Sequence, residues 1–416
     1  MLPEIRTPVP GPRSRDAAAR LAAVECPEVT ALAEPPIFWQ RGAGANVYDA
    51  DGNRYVDLLA GFGAAALGYA PPELSEALSR QAGTLQHAMG DVYPASVKLE
   101  LLEELDRILP GDLGRAILSS SGSDAVESAL KTSAVATGRS GVLAFEGSYH
   151  GLGLGALDTT HREEFRQPFR ERLAGRTRFA PFGDLSAARA ELERDAGIGA
   201  VLVEPIQGRG GLVHPPPGFL AELRELTRRR GVLLIADEVY TGIGRTGHWL
   251  ACEREQVTPD LVCLGKSLGG GVPVSACAGL PEVMNAWPAS RGEALHTSTH
   301  LGNPLGCAAA LATLRAIRDR DLLERSRSEG ERWLAELRAE LSGCACVREV
   351  RGAGLLIGIE VDSPGRALRA ARELLRQGWI TLPEGPRANV LALSPPLTIP
   401  RELIDAASAA IGKALH

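Results

Sequence analysis

Short apolar runs alternate with longer amphipathic stretches through the middle of the chain. The apolar runs predict strands at 116–120, 141–145, 200–203, 232–236, 261–264 and 275–280. The amphipathic stretches between them predict helices at 125–137, 185–195 and 218–230. Alternation of this kind predicts an α/β fold, in which a mostly parallel sheet carries helices on both faces.

The pattern changes in the C-terminal part of the chain. Two helices are predicted at 306–318 and 321–341, and strands follow at 347–350, 354–361 and 390–393. A helix at 365–377 separates the last two strands, and a final helix begins at 401. We therefore expect a smaller α+β lobe that both termini form. The expected divisions are an N-terminal segment (1–65) that joins the small domain, a large domain (66–308) and a C-terminal small domain (309–416).

The composition is that of a globular protein, since 44% of the 416 residues are hydrophobic and 23% are charged. The net charge of -6 and the lack of a basic block argue against a nucleic-acid partner. The seven cysteines have no framework spacing and the histidines have no metal-ligand spacing, so we expect no metal site. The apolar stretch 58–70 is too short to span a bilayer, and residues 1–20 lack the apolar core of a secretory signal. We expect a cytoplasmic protein.

One of the four lysines, Lys266, occupies a position in which its amine could act as a nucleophile. It directly follows the apolar run 259–265 and precedes the glycines at 269–271. This pattern is typical of a buried strand that ends in a tight turn. An ammonium group is costly to bury unless it is paired or deprotonated, and a lysine with a lowered pKa can form a Schiff base with an aldehyde.

Four other features follow predicted strands in the same way. They are the run 121–124 (SGSD), the pair Tyr149 and His150, Glu204, and Asp237. Each has an ordinary alternative, namely helix capping for the first, a loop aromatic for Tyr149 and a surface ion pair for Asp237. Ligands of open α/β sheets bind at the carboxyl ends of the strands, so these features and Lys266 together predict one site.

The sequence resembles the class III, fold-type I aminotransferases that depend on pyridoxal 5'-phosphate (PLP), and within them the 4-aminobutyrate and ornithine aminotransferases. The likeness runs from about residue 42 to the C-terminus. The motifs that carry it are DGNRYVD at 51–57, SGSDA at 121–125, SYHG at 148–151, EPIQG at 204–208, DEVYTGIGRTG at 237–247, LGK at 264–266 and STHLGNP at 298–304. The long motif at 237–247, followed by the lysine at the right distance, is the most specific of them.

This resemblance implies a role for each matched residue. Lys266 would bind the cofactor as a Schiff base and then act as the base that moves the proton. Asp237 would pair with the pyridine nitrogen, while Tyr149 and Val239 would lie on opposite faces of the ring. The catalytic residues would be Lys266, Asp237 and Tyr149.

The phosphate of PLP would lie between two subunits. Gly122 and Ser123 would bind it from one chain, and Thr299 would complete the site from the neighbouring subunit, so the resemblance implies a homodimer. The full set of implied cofactor contacts is Ser121, Gly122, Ser123, Tyr149, His150, Glu204, Asp237, Val239, Tyr240, Lys266, Ser298 and Thr299.

Two residues depart from the family pattern. Tyr240 replaces a glutamine that commonly contacts the phenolic oxygen of the cofactor. Ala392 replaces an arginine that commonly clamps a substrate carboxylate in two hydrogen bonds and that pairs with Glu204. We expect Arg387 or Arg209 to supply the carboxylate contact, or the contact to be missing.

The function that the resemblance implies is transamination, from an amine or ω-amino acid donor to a keto acid or aldehyde. Phe62 is expected to shape the donor pocket, although an ordinary core role is equally compatible with the sequence. A racemase, epimerase or aminomutase on the same scaffold is the nearest alternative. An oxidoreductase without PLP is disfavoured because no Gly-x-Gly-x-x-Gly motif follows an early strand. A silent PLP-binding protein is disfavoured because the lysine, the aspartate and the phosphate-site residues occur together.

Overall fold

The computed structural model describes residues 1–31, 34 and 36–416. Within them the strands β1 to β15, in chain order, are Trp39–Ala43, Asn46–Asp49, Arg54–Asp57, Arg115–Ser119, Gly141–Phe145, Thr177–Ala180, Ile198–Val203, Leu233–Asp237, Leu261–Leu264, Ser275–Gly279, Val347–Ala353, Leu356–Val361, Trp379–Ile380, Leu382–Glu384 and Val390–Leu393.

The helices of the same residues, α1 to α14, are Pro12–Ala22, Ala60–Gly63, Pro72–Thr84, Ser96–Ile108, Gly122–Thr137, Leu154–Thr159, Glu163–Arg166, Leu185–Arg194, Phe219–Arg230, Pro281–Met284, Pro304–Asp319, Leu322–Glu340, Pro364–Arg376 and Arg401–Leu415. Short 3-10 turns lie at Gln167–Arg172, Ala251–Glu255 and Lys266–Gly269.

The large sheet has the strand order β4-β10-β9-β8-β7-β5-β6, and β10 alone runs antiparallel to its neighbours among these strands. Its central strands are continuous apolar runs; every residue of β7 is buried, as expected for a parallel sheet covered on both faces. The predicted α/β class and mostly parallel sheet are confirmed. Strand β6 was not predicted, because it is a short edge strand that contains the exposed Arg178.

Two smaller sheets complete the fold. An antiparallel sheet, β11-β12-β15-β14, packs against α12 and α13. Strands β1, β2 and β3 form an N-terminal sheet to which β13 adds in parallel, with Trp379 opposite Val56. This pairing joins the two ends of the chain, so the lobe formed by both termini is also confirmed. The domain limits at 65 and 308 stay predictions.

Helix α5 shows how local chemistry positions the site. The Ser121 hydroxyl accepts a hydrogen bond from the Asp124 amide at 3.2 Å and caps the helix start, as the sequence predicted. Gly138 ends the helix with φ 67°, the left-handed conformation that favours glycine. The helix therefore begins where β4 ends, at the carboxyl edge of the sheet.

In the part of the chain that the structure describes, no helix has both the length and the apolar character that crossing a membrane requires. The cytoplasmic location stays a prediction of the sequence.

Candidate active site

A cavity of about 340 Å³ opens at the carboxyl edge of the large sheet. Its lining residues are Gly122, Ser123, Tyr149, His150, Gly151, Leu152, Glu204, Arg209, Asp237, Val239, Tyr240 and Lys266. The segments that follow β4, β5, β7, β8 and β9 all contribute, because parallel strands end at the same edge. The sheet-edge features that the sequence singled out therefore meet in one place.

Lys266 enters the cavity from a strained turn. Its φ of 36° lies in the left-handed region, which a residue with a side chain adopts at a cost. The pKa of Lys266 is lowered, because burial disfavours the charged amine, while the carboxylates of Asp237, Glu204 and Glu384 oppose that effect. A lowered pKa increases the unprotonated fraction, which is the form that attacks an aldehyde or accepts a proton.

Asp237 is held at both of its oxygens. Oδ2 lies 2.7 Å from Nδ1 of His150, and Oδ1 accepts a hydrogen bond from the Val239 amide at 3.1 Å. Both side chains of the pair are buried. Within the described residues, Nε2 of His150 is buried and has no hydrogen-bond partner. The carboxylate is therefore fixed in orientation, as pairing with one nitrogen of a planar ring requires.

Glu204 binds backbone amides. The Tyr149 amide donates to Oε1 and the Gly208 amide donates to Oε2, both at 2.9 Å. The pKa of Glu204 is raised to about 7, chiefly by burial and also by the Asp237 carboxylate, while His150 lowers it. Ala392 is fully buried on β15, opposite Gly358 of β12. Among the described residues, these two amides are the hydrogen-bond donors to the Glu204 carboxylate, and no arginine pairs with it.

The start of helix α5 forms the polar end of the cavity. A Cβ atom on Gly122 would lie 2.7 Å from Cγ1 of Val239, so the backbone approaches closely only because this residue is glycine. Ser123 lies beside it, and its Oγ accepts a hydrogen bond from the Gly153 amide at 2.9 Å. Free amides at the start of a 16-residue helix attract an anion such as a phosphate.

Arg209 and Lys266 are the arginine and the lysine among the described residues that line the cavity. The guanidinium of Arg209 lies 4.6 Å from the centre of the Tyr149 ring and 5.6 Å from that of Phe165. Nε of Arg209 lies 3.8 Å from Oε2 of the buried Glu384. Arg387 instead pairs with Glu360 at 3.1 Å and is 73% exposed. Of the two arginines proposed from the sequence, Arg209 alone lines the cavity.

Three of the predicted cofactor contacts lie outside the cavity lining in this chain. Ser121 caps helix α5, and Ser298 and Thr299 are exposed residues between α10 and α11. Sequence reasoning missed Leu152, which is 52% exposed and lines the cavity. The signal for it was present, because Leu152 follows Tyr149, His150 and Gly151 at the same strand end.

The fold and the cavity define an α/β protein with a lysine side chain in a cavity at the edge of its sheet, where ligands of such sheets bind. The family model described as "Aminotransferase class-III" matches residues 29–415, and the chain belongs to that family. Members of this family depend on PLP, so the chain is a PLP-dependent aminotransferase.

Individual relatives cover nearly the whole chain. Acetylornithine aminotransferase of Methanothermobacter thermautotrophicus is 38% identical over 91% of this chain and 93% of its own length. [LysW]-aminoadipate semialdehyde transaminase of Deinococcus radiodurans is 38% identical over 90% of this chain and 85% of its own. A solved structure of ornithine aminotransferase from Toxoplasma gondii, with PLP at partial occupancy in its active site, has a TM-score of 0.89 and 32% identity. The match covers 96% of this chain and 94% of that one.

The residues present fit PLP. The cavity offers an amine for the aldehyde, a fixed carboxylate for the pyridine nitrogen and helix amides for the phosphate. The close approach of Gly122 to Val239 brings the start of helix α5 next to the side chain that the ring would contact. When bound, PLP supplies an electron sink for the bonds at the amine-bearing carbon.

Proposed function

We propose that this aminotransferase acts on donors with a terminal amino group, and that Lys266, Asp237 and Tyr149 are its catalytic residues. The observation that carries the proposal is that Lys266 and Asp237 share one cavity with the start of helix α5. Asp237 would hold the ring nitrogen protonated, Tyr149 and Val239 would contact opposite faces of the ring, and Gly122 and Ser123 would bind the phosphate.

Lys266 is proposed as the group that moves the proton. Lys266 lies in the cavity, and burial lowers the pKa of its amine, which increases the unprotonated fraction that can accept a proton. Nearby carboxylates keep the proton affinity from falling further. The same amine can therefore take the proton from the donor carbon and return it at another position.

The choice of donor is inferred from the walls of the cavity. Ala392 is buried and Glu204 is bound by amides, so Arg209 supplies the one guanidinium among the described residues that line the cavity. Arg209 is the residue that we propose for a carboxylate distant from the reacting amine. The names of the relatives, which refer to acetylornithine, ornithine and aminoadipate semialdehyde, support a donor that reacts through its side-chain amine.

A half-reaction without acceptor tests this proposal. Protein loaded with PLP is mixed with one donor at a time, and the visible absorbance of the cofactor is followed while products are identified by mass spectrometry. We expect ω-amino donors to convert the cofactor to its amine form in equal amounts to the protein, and α-amino acids to react slowly. Lys266→Ala is the control that removes the reacting amine. If absorbance persists while the α-hydrogen of a substrate exchanges in deuterated water, the racemase or epimerase alternative holds.

We also propose a homodimer in which Ser298 and Thr299 reach the phosphate site of the partner. Large apolar side chains are exposed in the two segments that would form this interface, namely Leu85, Met89, Val92, Tyr93 and Leu295. An exposed apolar group of this size is typical of a protein interface. Light scattering after gel filtration measures the molar mass in solution, which should be that of two chains.

Mixed dimers test the sharing of the site. Lys266→Ala and Thr299→Asp are each expected to be inactive as pure proteins. If the subunits exchange, one site of the mixed dimer has Lys266 from one chain and Thr299 from the other, so part of the activity should return. Thr297→Asp is the matched control for a surface charge. A pair that stays inactive after exchange, shown by mass spectrometry of intact dimers, contradicts the shared site.

A further inference from the structure

Tyr240 lies against the reactive lysine. Nζ of Lys266 is 4.1 Å from the centre of the Tyr240 ring, and both residues line the cavity. An ammonium at this distance over an aromatic face is attracted to the ring quadrupole. Contacts of this kind are stronger at sites that exclude water, and Tyr240 is buried.

Two glycines keep the Tyr240 ring in place. A Cβ atom on Gly63 would lie 2.7 Å from Cε2 of the ring, and one on Gly208 would meet Cδ1 even more closely. Gly63 has φ 81°, and the Ser267 hydroxyl donates to its carbonyl at 2.9 Å. The ring therefore occupies a slot between backbone segments and has little room to turn.

The Tyr240 hydroxyl also takes part in a hydrogen bond away from the lysine. The Ser394 hydroxyl donates its one proton to the carbonyl of Leu59 at 3.0 Å. The contact of 3.0 Å between Tyr240 and Ser394 must then be a hydrogen bond that Tyr240 donates. Because this proton is used, and burial raises the pKa of Tyr240, the residue presents a neutral aromatic face to the cavity.

We propose that Tyr240 is a positioning residue that receives the Lys266 ammonium on its ring face whenever this amine is not bonded to PLP. The proposal rests on the proposed role of Lys266. An amine that leaves the cofactor carbon with a proton must stay within reach to return it. The ring face keeps the charged amine in place without forming a hydrogen bond that would have to break, and it raises the proton affinity of the amine.

Other charged groups act on the same amine, and a substitution at Tyr240 leaves them in place. The carboxylates of Asp237, Glu204 and Glu384 favour the ammonium, while the guanidinium of Arg209 opposes it. Tyr240 contributes through its face and carries no charge. A substitution that removes only this ring therefore measures its contribution to the pKa of Lys266.

The test measures the proton affinity of Lys266 directly, in protein freed of PLP. Amine labelling by formaldehyde and cyanoborohydride is followed against pH, and each lysine is quantified by peptide mass spectrometry. Because the chain has only four lysines, the exposed Lys413 serves as internal reference. We expect Tyr240→Leu to lower the pKa of Lys266 by about half to one unit and to leave Lys413 unchanged. Tyr240→Phe, which keeps the face and loses the hydroxyl, should titrate like the wild type.

Folding of the variants is checked by circular dichroism. If Tyr240→Leu does not fold, Tyr240→Gln, which also lacks the ring, takes its place in the labelling experiment. A Lys266 titration that is the same in wild type and in the folded variant without the ring overturns the proposal. A separate measurement covers the role of Lys266 itself: borohydride reduction of the wild type with PLP should attach the cofactor to the Lys266 peptide. Attachment elsewhere would refute that role, whereas the labelling result would still report on Tyr240.

Discussion

Nδ1 of His150 lies 2.7 Å from Oδ2 of Asp237, and both side chains are buried. Since Oδ1 accepts the Val239 amide, the imidazole holds the remaining oxygen and fixes the plane of the carboxylate. A hydrogen bond that involves a charged group contributes about 1.5–3 kcal/mol, and its loss would leave the Asp237 carboxylate held by the Val239 amide alone.

His150→Ala should therefore weaken PLP binding by about ten- to a hundredfold. The dissociation constant is measured by the fluorescence of the protein during titration with PLP. His150→Asn, whose amide can donate near the position of Nδ1, is the matched control and should recover part of the affinity. Equal affinities in all three proteins would show that the imidazole does not support the carboxylate.

The raised pKa of Glu204 predicts how stability depends on pH. The group has a pKa of about 7 in the folded chain and an ordinary value of 4.5 when unfolded. The folded state thus binds the proton more tightly, so the stabilisation is fully present below pH 4.5 and is lost as the pH rises through about 7. Glu204→Gln has no such titration.

We expect the free energy of unfolding of Glu204→Gln, relative to wild type, to rise by up to about 3 kcal/mol from pH 4.5 to pH 8 in protein without PLP. Urea unfolding at several pH values measures it. Glu331→Gln, at a carboxylate that is 68% exposed, is the control. A difference between Glu204→Gln and wild type that is independent of pH would mean that Glu204 titrates normally.

The order of strands and the residues that follow them carried most of the prediction of the site. Residues such as Glu204 and Asp237 were found because a strand that is buried on both faces reads as an apolar run, and its end is visible in the sequence. Strands β1 and β6 were missed because they are partly exposed and lack a continuous apolar run. Strands β2 and β3 are mostly buried, but polar residues interrupt their apolar signal.

What the sequence could not show is where side chains point across the fold. Arg209 and Arg387 were equal candidates for the carboxylate contact, since each lies on a loop next to a predicted strand. Tertiary packing separates them, because Arg387 pairs with Glu360 while Arg209 lies over Tyr149. Likewise the contact between Lys266 and Tyr240 joins residues from two strand ends, and its geometry follows from the glycines that hold the ring.

Arg209 yields a prediction about substrate recognition. Arg209→Gln should raise KM for an ω-amino acid donor about ten- to a hundredfold, because a charged hydrogen bond to its distant carboxylate is lost. KM for an amine donor without a carboxylate should stay the same. Steady-state kinetics with both substrate types measure the split, and Arg387→Gln is the matched control for an exposed arginine. A loss that is equal for both substrate types would assign Arg209 to the structure of the cavity.

The approach of Gly122 to Val239 gives the sharpest test of the proposed phosphate and ring contacts. A Cβ atom at Gly122 would lie 2.7 Å from Cγ1 of Val239, so Gly122→Ala must push one of the two segments that line the cavity. Such overpacking costs about 1–3 kcal/mol, and we expect Gly122→Ala to weaken PLP binding by roughly ten- to a hundredfold.

Val239→Ala removes both γ-methyl groups that the new Cβ would meet, so the double variant should bind PLP more tightly than Gly122→Ala alone. Binding and thermal unfolding of the four proteins form a cycle, and the coupling between the two changes measures the contact. The free-energy effects of two substitutions are coupled when the residues are in contact, and they are additive when the residues are distant. Additive effects on PLP binding would mean that Gly122 acts on the phosphate without Val239, and the proposed place of the ring against Val239 would then lose its support.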